Sequence, residues 1–174
     1  MNCIRKRNFR SACAVSTLFL IISGAASRAQ NPIKDDASCS RFVQQFYDWY
    51  LERGSPWYDV VKLKPQVLSV ELRELLRKED VSQTACQCID HLDSDPFLNS
   101  QDPDRRYVVR DATVTNGKCK ATVKGTGQDG AEVRPELVRT GASWVFINFH
   151  YSFYAEDKKT KLYPDWDLVS MLKR

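Results

Sequence analysis

Apolar positions along this chain recur with three different spacings, and each spacing predicts a different kind of segment. Residues 12–26 are an uncharged, mostly apolar run behind Arg5, Lys6, Arg7 and Arg10. From Phe42 the spacing becomes three and four: Phe42, Val43, Phe46, Tyr47, Trp49 and Tyr50 fall on one broad aromatic face. With Ser40 as N-cap and Gly54 as terminator they predict a helix over residues 41–53. A stripe of this kind forms core, so no chemistry is assigned to it. Leu72, Leu75 and Leu76 repeat the pattern in a second helix over 70–79, capped by Ser69. A third, over 82–92, carries Cys86 and Cys88 and stops before Pro96.

After Arg106 the period falls to two. Residues 107–115 alternate and are β-branched, and Asn116-Gly117 is a strong hairpin signal. Across that turn Cys119, Ala121 and Val123 share one face, with Lys118, Lys120, Thr122 and Lys124 on the other. A turn over 125–130 leads to a third strand, 131–140, in which Pro135 predicts an edge or a bulge. The last long strand, 143–153, sets Val145, Ile147, Phe149, Tyr151 and Phe153 on one face. Trp144, Phe146, Asn148, His150 and Ser152 occupy the other, so both faces need cover. Residues 165–173 suit a short closing helix or a strand. Helices first and an antiparallel meander afterwards is an α+β pattern: N-terminal helices packed on a curved antiparallel sheet of about four strands. Such a sheet leaves a cone whose mouth can take a ligand.

The N-terminal run changes how charge and cysteines are counted. It is shorter than the roughly 20 apolar residues a bilayer crossing needs, and Ser27-Arg28-Ala29 completes a cleavage pattern. Residues 1–29 read as a cleaved signal peptide, 30–37 as a flexible leader and 38–174 as one α+β domain, periplasmic or secreted, with no membrane anchor after cleavage. The signal holds five of the 26 basic residues and none of the 22 acidic ones, so the remainder is near neutral at −1. The basic pI therefore belongs to the discarded segment, and nucleic acid is not an expected partner. Of six cysteines four remain, Cys39, Cys86, Cys88 and Cys119, and an oxidising compartment predicts two disulfides. In a helix Cys86 and Cys88 point about 200° apart, so each is expected to reach one of Cys39 and Cys119, with no bond between them. Their spacing fits no familiar zinc pattern.

Asp90, Asp93, Asp95, Asp102 and Asp104, with Asn99 and Gln101, make an acid-rich stretch. It lacks the glycine and terminal glutamate of an EF-hand, so a turn-rich connector with Asx caps is preferred to a calcium site, and no metal is assigned. Pro96 restricts Asp95 to extended backbone, and Phe97 and Leu98 should anchor the connector in the core. Asn99, Gln101 and Asp102 would then stand in fixed positions, and with Asn148 and His150 they are the candidate binding residues. His91 or His150 paired with Asp95 or Asp102 is the weak catalytic candidate; a hydrogen-bonded structural role is the preferred reading of each histidine. The chain carries no nucleophile elbow, Walker loop or dinucleotide glycine pattern, and no cofactor is implied.

The segment Asp95-Pro96-Phe97-Leu98-Asn99-Ser100-Gln101-Asp102 resembles the signature of a family of small exported bacterial proteins within the nuclear transport factor 2-like, cystatin-like group. The likeness extends to Phe42-Val43-x-x-Phe46-Tyr47, to Leu68-Ser69-x-Glu71-Leu72-x-x-Leu75-Leu76 and to Trp144-x-x-x-Asn148. It implies an α+β cone and an exported location, and brings no catalytic residues with it. Many members resemble lipoproteins; this chain departs from them in having no cysteine directly after the apolar run.

The favoured function is a non-catalytic binding or interaction module using the cone cavity or its rim. Its partner would be a small molecule, a peptide or an envelope protein, or a second copy in a homodimer. One alternative is a small isomerase, dehydratase or hydrolase built on a His–Asp pair. Another is an immunity-type protein that blocks a secreted toxin, which requires the acidic stretch to be exposed.

Overall fold

The structure, a computed structural model, describes residues 32–54, 56–89, 91–127, 132–152 and 166–174. The expected signal segment, Asp90, most of the turn before the third strand and the end of the last long strand lie outside them.

Helix α1 runs Pro32–Arg53 and begins well before the expected N-cap, so Ser40 lies inside it and residues 32–37 are helical rather than an irregular leader. Polar contacts to the sheet explain the extension. Asp35 is buried and its Oδ1 is 2.5 Å from Arg139 Nη1. Asp36 Oδ1 accepts from the Val114 N–H at 2.6 Å, and Ser38 Oγ from Trp144 Nε1 at 3.1 Å. A polar segment with weak helical preference is thus fixed by partners more than 70 residues away. Further along α1, Gln44 donates to the Tyr107 carbonyl at 3.0 Å and accepts from the Val109 N–H at 2.9 Å.

After α1 come a short helix α2 (Tyr58–Leu63), a 3-10 turn (Pro65–Val67) and α3 (Val70–Cys86). Ser69 caps α3 as expected, its Oγ accepting from the Leu72 N–H at 3.2 Å. The separate third helix is not formed. With no Gly or Pro between Val70 and Cys86 the helix continues unbroken until Gln87, which adopts a left-handed conformation at φ 53° and ends it.

Five antiparallel strands follow in sequential order: β1 (Tyr107–Thr115), β2 (Lys118–Gly125), β3 (Glu132–Thr140), β4 (Ser143–Tyr151) and the two-residue β5 (Trp166–Asp167), which leads into α4 (Leu168–Leu172). The ambiguous C-terminal segment is thus strand and then helix. The Asn116-Gly117 hairpin forms with left-handed φ at both residues. Pro135 sits in a central strand. The ladder between β2 and β3 skips it, and a bulge follows it on the β4 side, where Glu136 faces Asn148 but Leu137 faces Phe146. Ile147 is the extra residue. It shifts the alternation of β4, so Trp144 and Phe146 are buried before it and Phe149 and Tyr151 after it. The strict two-face alternation expected for this strand is therefore replaced by one continuous buried set.

Those side chains meet the aromatic face of α1 directly. Ring centroids lie 4.8 Å apart for Phe46 and Phe146 and 5.1 Å for Phe146 and Phe149. The space between helix and sheet is packed with aromatic rings rather than left as an open chamber.

The disulfides are Cys39–Cys119, with Cα atoms 6.5 Å apart, and Cys86–Cys88, at 5.2 Å. The expected exclusion of an 86–88 bond fails because the two residues do not share a helix. Cys86 is the last residue of α3, and the left-handed Gln87 turns Cys88 back towards it. That frees the fully buried Cys39 and Cys119 to tie α1 to β2.

Candidate functional site

Beyond the end of α3, residues 96–98 turn into the core. Pro96, Phe97 and Leu98 are buried, with Phe97 fully so, as the Asp-Pro-Phe-Leu sequence predicts. Aromatic rings close around Phe97: its ring is 5.5 Å from Phe46, 5.5 Å from Tyr50 and 5.1 Å from Phe149. Burying a loop buries its backbone, and each carbonyl taken from water needs a donor. Tyrosines supply them. Tyr151 donates to the Pro96 carbonyl at 2.7 Å, Tyr47 to that of Phe97 at 2.9 Å, and Tyr107 to that of Leu98 at 3.1 Å. These hydroxyls come from β4, α1 and β1, so three elements grip three consecutive peptide groups.

Asp95 organises the start of the loop. Its Oδ1 accepts from the N–H groups of Phe97 at 2.8 Å and Leu98 at 3.1 Å, its Oδ2 takes a short hydrogen bond from the Tyr50 hydroxyl, and its N–H donates to the Ser100 carbonyl at 3.2 Å. Burial raises its carboxyl above the ordinary carboxylate value, against the opposing bonds from Tyr50, Phe97 and Leu98. Burial likewise raises the tyrosines: Tyr107 is pushed up to about 12, and Tyr47, Tyr50 and Tyr151 are raised further, with the negative charge of Asp95 adding to burial in each. They are permanent donors at any physiological pH, suited to holding a loop and unsuited to moving protons.

Beyond the anchor the chain returns to solvent. Gln101, Asp102, Pro103 and Arg105 are exposed, as is Asp93 before the loop. Asn99 is left-handed at φ 50°, and Gln101 Nε2 donates to the Asp93 carbonyl at 3.2 Å. Asp104 is wedged against the end of β2, where a Cβ on Gly125 or Gly127 would lie 1.9 Å from one of its oxygens; both positions need glycine for that approach. Between this rim and the end of α1 lies a cleft of about 330 Å³, lined by Tyr50, Leu51 and Gly54 of the helix end and by Asp95, Leu98, Pro103, Asp104 and Arg105. Over the Trp49 ring of α1 stand Lys64, from the end of α2, with Nζ 4.1 Å from the ring centre, and Arg53 at 5.7 Å. Burial, and then the Arg53 charge, lower the Lys64 ammonium below its ordinary value.

The other predicted residues have different partners. Asn148 donates to Asp167 Oδ1 at 2.8 Å and accepts from the Phe149 and Val169 N–H groups, while Asp167 Oδ1 also caps α4 through the Ser170 N–H at 2.9 Å. Burial tends to raise the Asp167 carboxyl, but the bonds from Asn148 and Ser170 and the nearby His150 outweigh it and hold it below the ordinary value. His150 Nε2 lies 3.2 Å from Glu136 Oε2, and Lys118 Nζ 3.6 Å from Glu136 Oε1. His91 Nδ1 lies 2.8 Å from Glu79 Oε2; Glu79 Oε1 accepts from the His91 and Leu92 N–H groups at 2.8 and 3.0 Å. Both histidines thus pair with glutamates, and the His–Asp dyads with Asp95 or Asp102 are not formed. Asn148 and His150 fasten the C-terminal segment and do not join Asn99, Gln101 and Asp102 in one site. Sequence reasoning gave no role to the four tyrosines, whose only signal was their place in an apolar pattern, or to Arg105 in the cleft lining, and it counted Asp104 only as part of the acid-rich stretch. Among the described residues no three His, Cys, Asp or Glu side chains gather closely enough to hold a metal ion, and no helix is long and apolar enough to cross a membrane.

No protein-family model matches the sequence, and no curated protein does. In fold the chain is similar to a chain in the crystal structure of the selenomethionine form of the type VI effector–immunity complex Tae3–Tai3 from Ralstonia pickettii. The TM-score is 0.50 at 17% identity, covering 68% of this chain and 100% of that one. For the native complex the values are 0.48 and 19%, covering 63% and 91%.

Proposed function

We propose that this chain is an exported protein-binding module of the immunity type, which neutralises a secreted toxin through the rim formed by Asn99, Gln101, Asp102 and Arg105. The observation that carries the reading is an exposed, charged rim on a base fixed by four tyrosine hydroxyls. A surface held in one conformation before contact loses little entropy on binding, which favours tight protein recognition. Exposure of this stretch is the condition that the immunity reading required of the sequence. The fold shared with a chain of an effector–immunity complex supports it. Aromatic packing between α1 and the sheet favours recognition at the rim over capture of a ligand inside a cone. The long α1 across an antiparallel meander, with the Asp-Pro-Phe-Leu segment between them, also supports assignment to the nuclear transport factor 2-like group. The disulfides support an oxidising location.

The test is protection. Cells exporting the chain are challenged with a panel of toxins delivered to the periplasm. Wild type should protect against at least one, and Asp102→Lys with Arg105→Glu should lose protection while keeping its melting temperature. Protection that survives the double change would overturn the assignment of the rim. Failure against every toxin, with a small molecule retained in native mass spectrometry, would overturn the immunity reading.

A further inference from the structure

Cys86 and Cys88 are both exposed at the end of α3, and their bond closes around a single intervening residue. We infer that this disulfide is a thiol–disulfide exchange site that oxidises a dithiol of a polypeptide. Three observations carry it. First, sulfur access: exchange requires a thiolate to reach a sulfur along the S–S axis, and exposed disulfides are the labile ones. Second, the ring encloses Gln87, a residue with a Cβ in the left-handed region at φ 53°, ψ 37°. Opening the ring frees Gln87 to leave that region, which favours the dithiol. Third, Ile89 beside Cys88 is 68% exposed, an apolar contact for an incoming polypeptide.

The surroundings give the reaction a direction. Cys86 Sγ lies 3.7 Å from the Gln83 carbonyl oxygen and 3.6 Å from that of Cys88, and it stands at the negative end of the α3 dipole. Carbonyl oxygens and a helix C-terminus oppose a thiolate and accept from a thiol, so Cys88 is the better leaving group. A substrate thiolate attacks Cys86 Sγ, forming a mixed disulfide and breaking the Cys86–Cys88 bond. The electron pair leaves on Cys88 Sγ, which takes a proton from water. The substrate's second thiolate then attacks its own sulfur in the mixed disulfide and expels Cys86, which is protonated in turn. Two electrons have passed from substrate to protein: one disulfide is made in the substrate and two thiols on the protein. Because the ring spans so few residues, opening it leaves the rest of α3 and the buried Cys39–Cys119 bond in place.

The experiment equilibrates the oxidised full chain in glutathione buffers of stepped composition, followed by acid quench, alkylation and peptide mapping. Cys86 and Cys88 should become alkylated at a value of [GSH]²/[GSSG] at least about tenfold lower than Cys39 and Cys119, which corresponds to about 30 mV. The helical circular dichroism should be retained at that point. Early quenching should find glutathione on Cys86 in excess over Cys88, and Cys88 in Cys86→Ser should react with iodoacetamide at pH 7 faster than Cys86 in Cys88→Ser. Simultaneous opening of both bonds, or prior opening of Cys39–Cys119, would overturn the exchange site. Glutathione found first on Cys88 would overturn the assigned direction.

Discussion

Asp95 and Asp167 do the same local job in two parts of the molecule, and their carboxyls respond in opposite ways. Each accepts from backbone N–H groups two or three residues ahead and so pins an irregular segment to a regular one. Asp95 lies under the aromatic packing and burial carries its carboxyl up; Asp167 lies near the surface, where hydrogen bonds carry it down. The same motif, a latch at Asp95 and a clamp at Asp167, has its carboxyl raised in one setting and lowered in the other. Solvation, not hydrogen-bond count, separates them.

Breaking the buried latch should have the largest effect. Phe97→Ala removes a fully buried ring packed against Phe46, Tyr50 and Phe149 and should cost about 3–5 kcal/mol in urea unfolding. A loss below 1 kcal/mol would mean the loop contributes little to the core. Tyr151→Phe keeps the ring but strands the Pro96 carbonyl and should cost about 1–3 kcal/mol. On the clamp side, Asp167→Ala removes an N-cap and should cost about 0.5–2 kcal/mol. Hydrogen exchange should show that loss concentrated in Leu168–Leu172, whereas Tyr151→Phe lowers protection throughout the sheet.

The pH dependence sharpens the contrast. The folded-state value of Asp95 lies above that of the unfolded chain, near 4, so its contribution is greatest in acid and declines as pH rises through the window between the two values. For Asp167 the folded-state value is lower, so its contribution is fully present above about pH 4 and is lost as pH falls from there through the lower folded-state value. Unfolding free energies measured from pH 3 to pH 7 should therefore diverge with opposite signs. The difference wild type minus Asp95→Asn falls with rising pH, and wild type minus Asp167→Asn rises. Parallel slopes would show that the two sites share one environment. Asp102→Ala, on the exposed rim, should change stability by no more than about 0.5 kcal/mol, leaving any loss of toxin protection attributable to contact.

Much of the latch could be read from the sequence, and little of what holds it. Two apolar residues set among aspartates after a proline have a single economical explanation, burial, and Phe97 and Leu98 are buried. The aromatic face of α1 and the Asn116-Gly117 turn were legible for the same reason: the pattern is local. The donors were not. Tyr47, Tyr107 and Tyr151 meet carbonyls that lie 50, 9 and 55 residues away, and a buried tyrosine in an apolar stripe gives no sign of where its hydroxyl points. The N-terminal turns of α1 were missed because Asp35, Asp36 and Ser38 are helical by virtue of Arg139, Val114 and Trp144. Assigning Asn148 and His150 to the rim assumed regular alternation in β4, which the bulge at Ile147 removes. The disulfide pairing failed on one dihedral angle, that of Gln87.

The way α1 lies along β1 governs how this protein can meet other chains. Its Asp36 and Gln44 side chains occupy the N–H groups of Val114 and Val109 and the carbonyl of Tyr107, hydrogen-bonding positions that an added strand would need. On the opposite side the Phe146 carbonyl is taken by the Ser69 N–H, and β5 covers His150 and Tyr151. Templated growth of the sheet is thereby obstructed at both margins, whether by a second copy in a fibril or by an extended peptide. Recognition is left to side chains on a closed surface. That closure guards the sheet against edge-to-edge association with other strands.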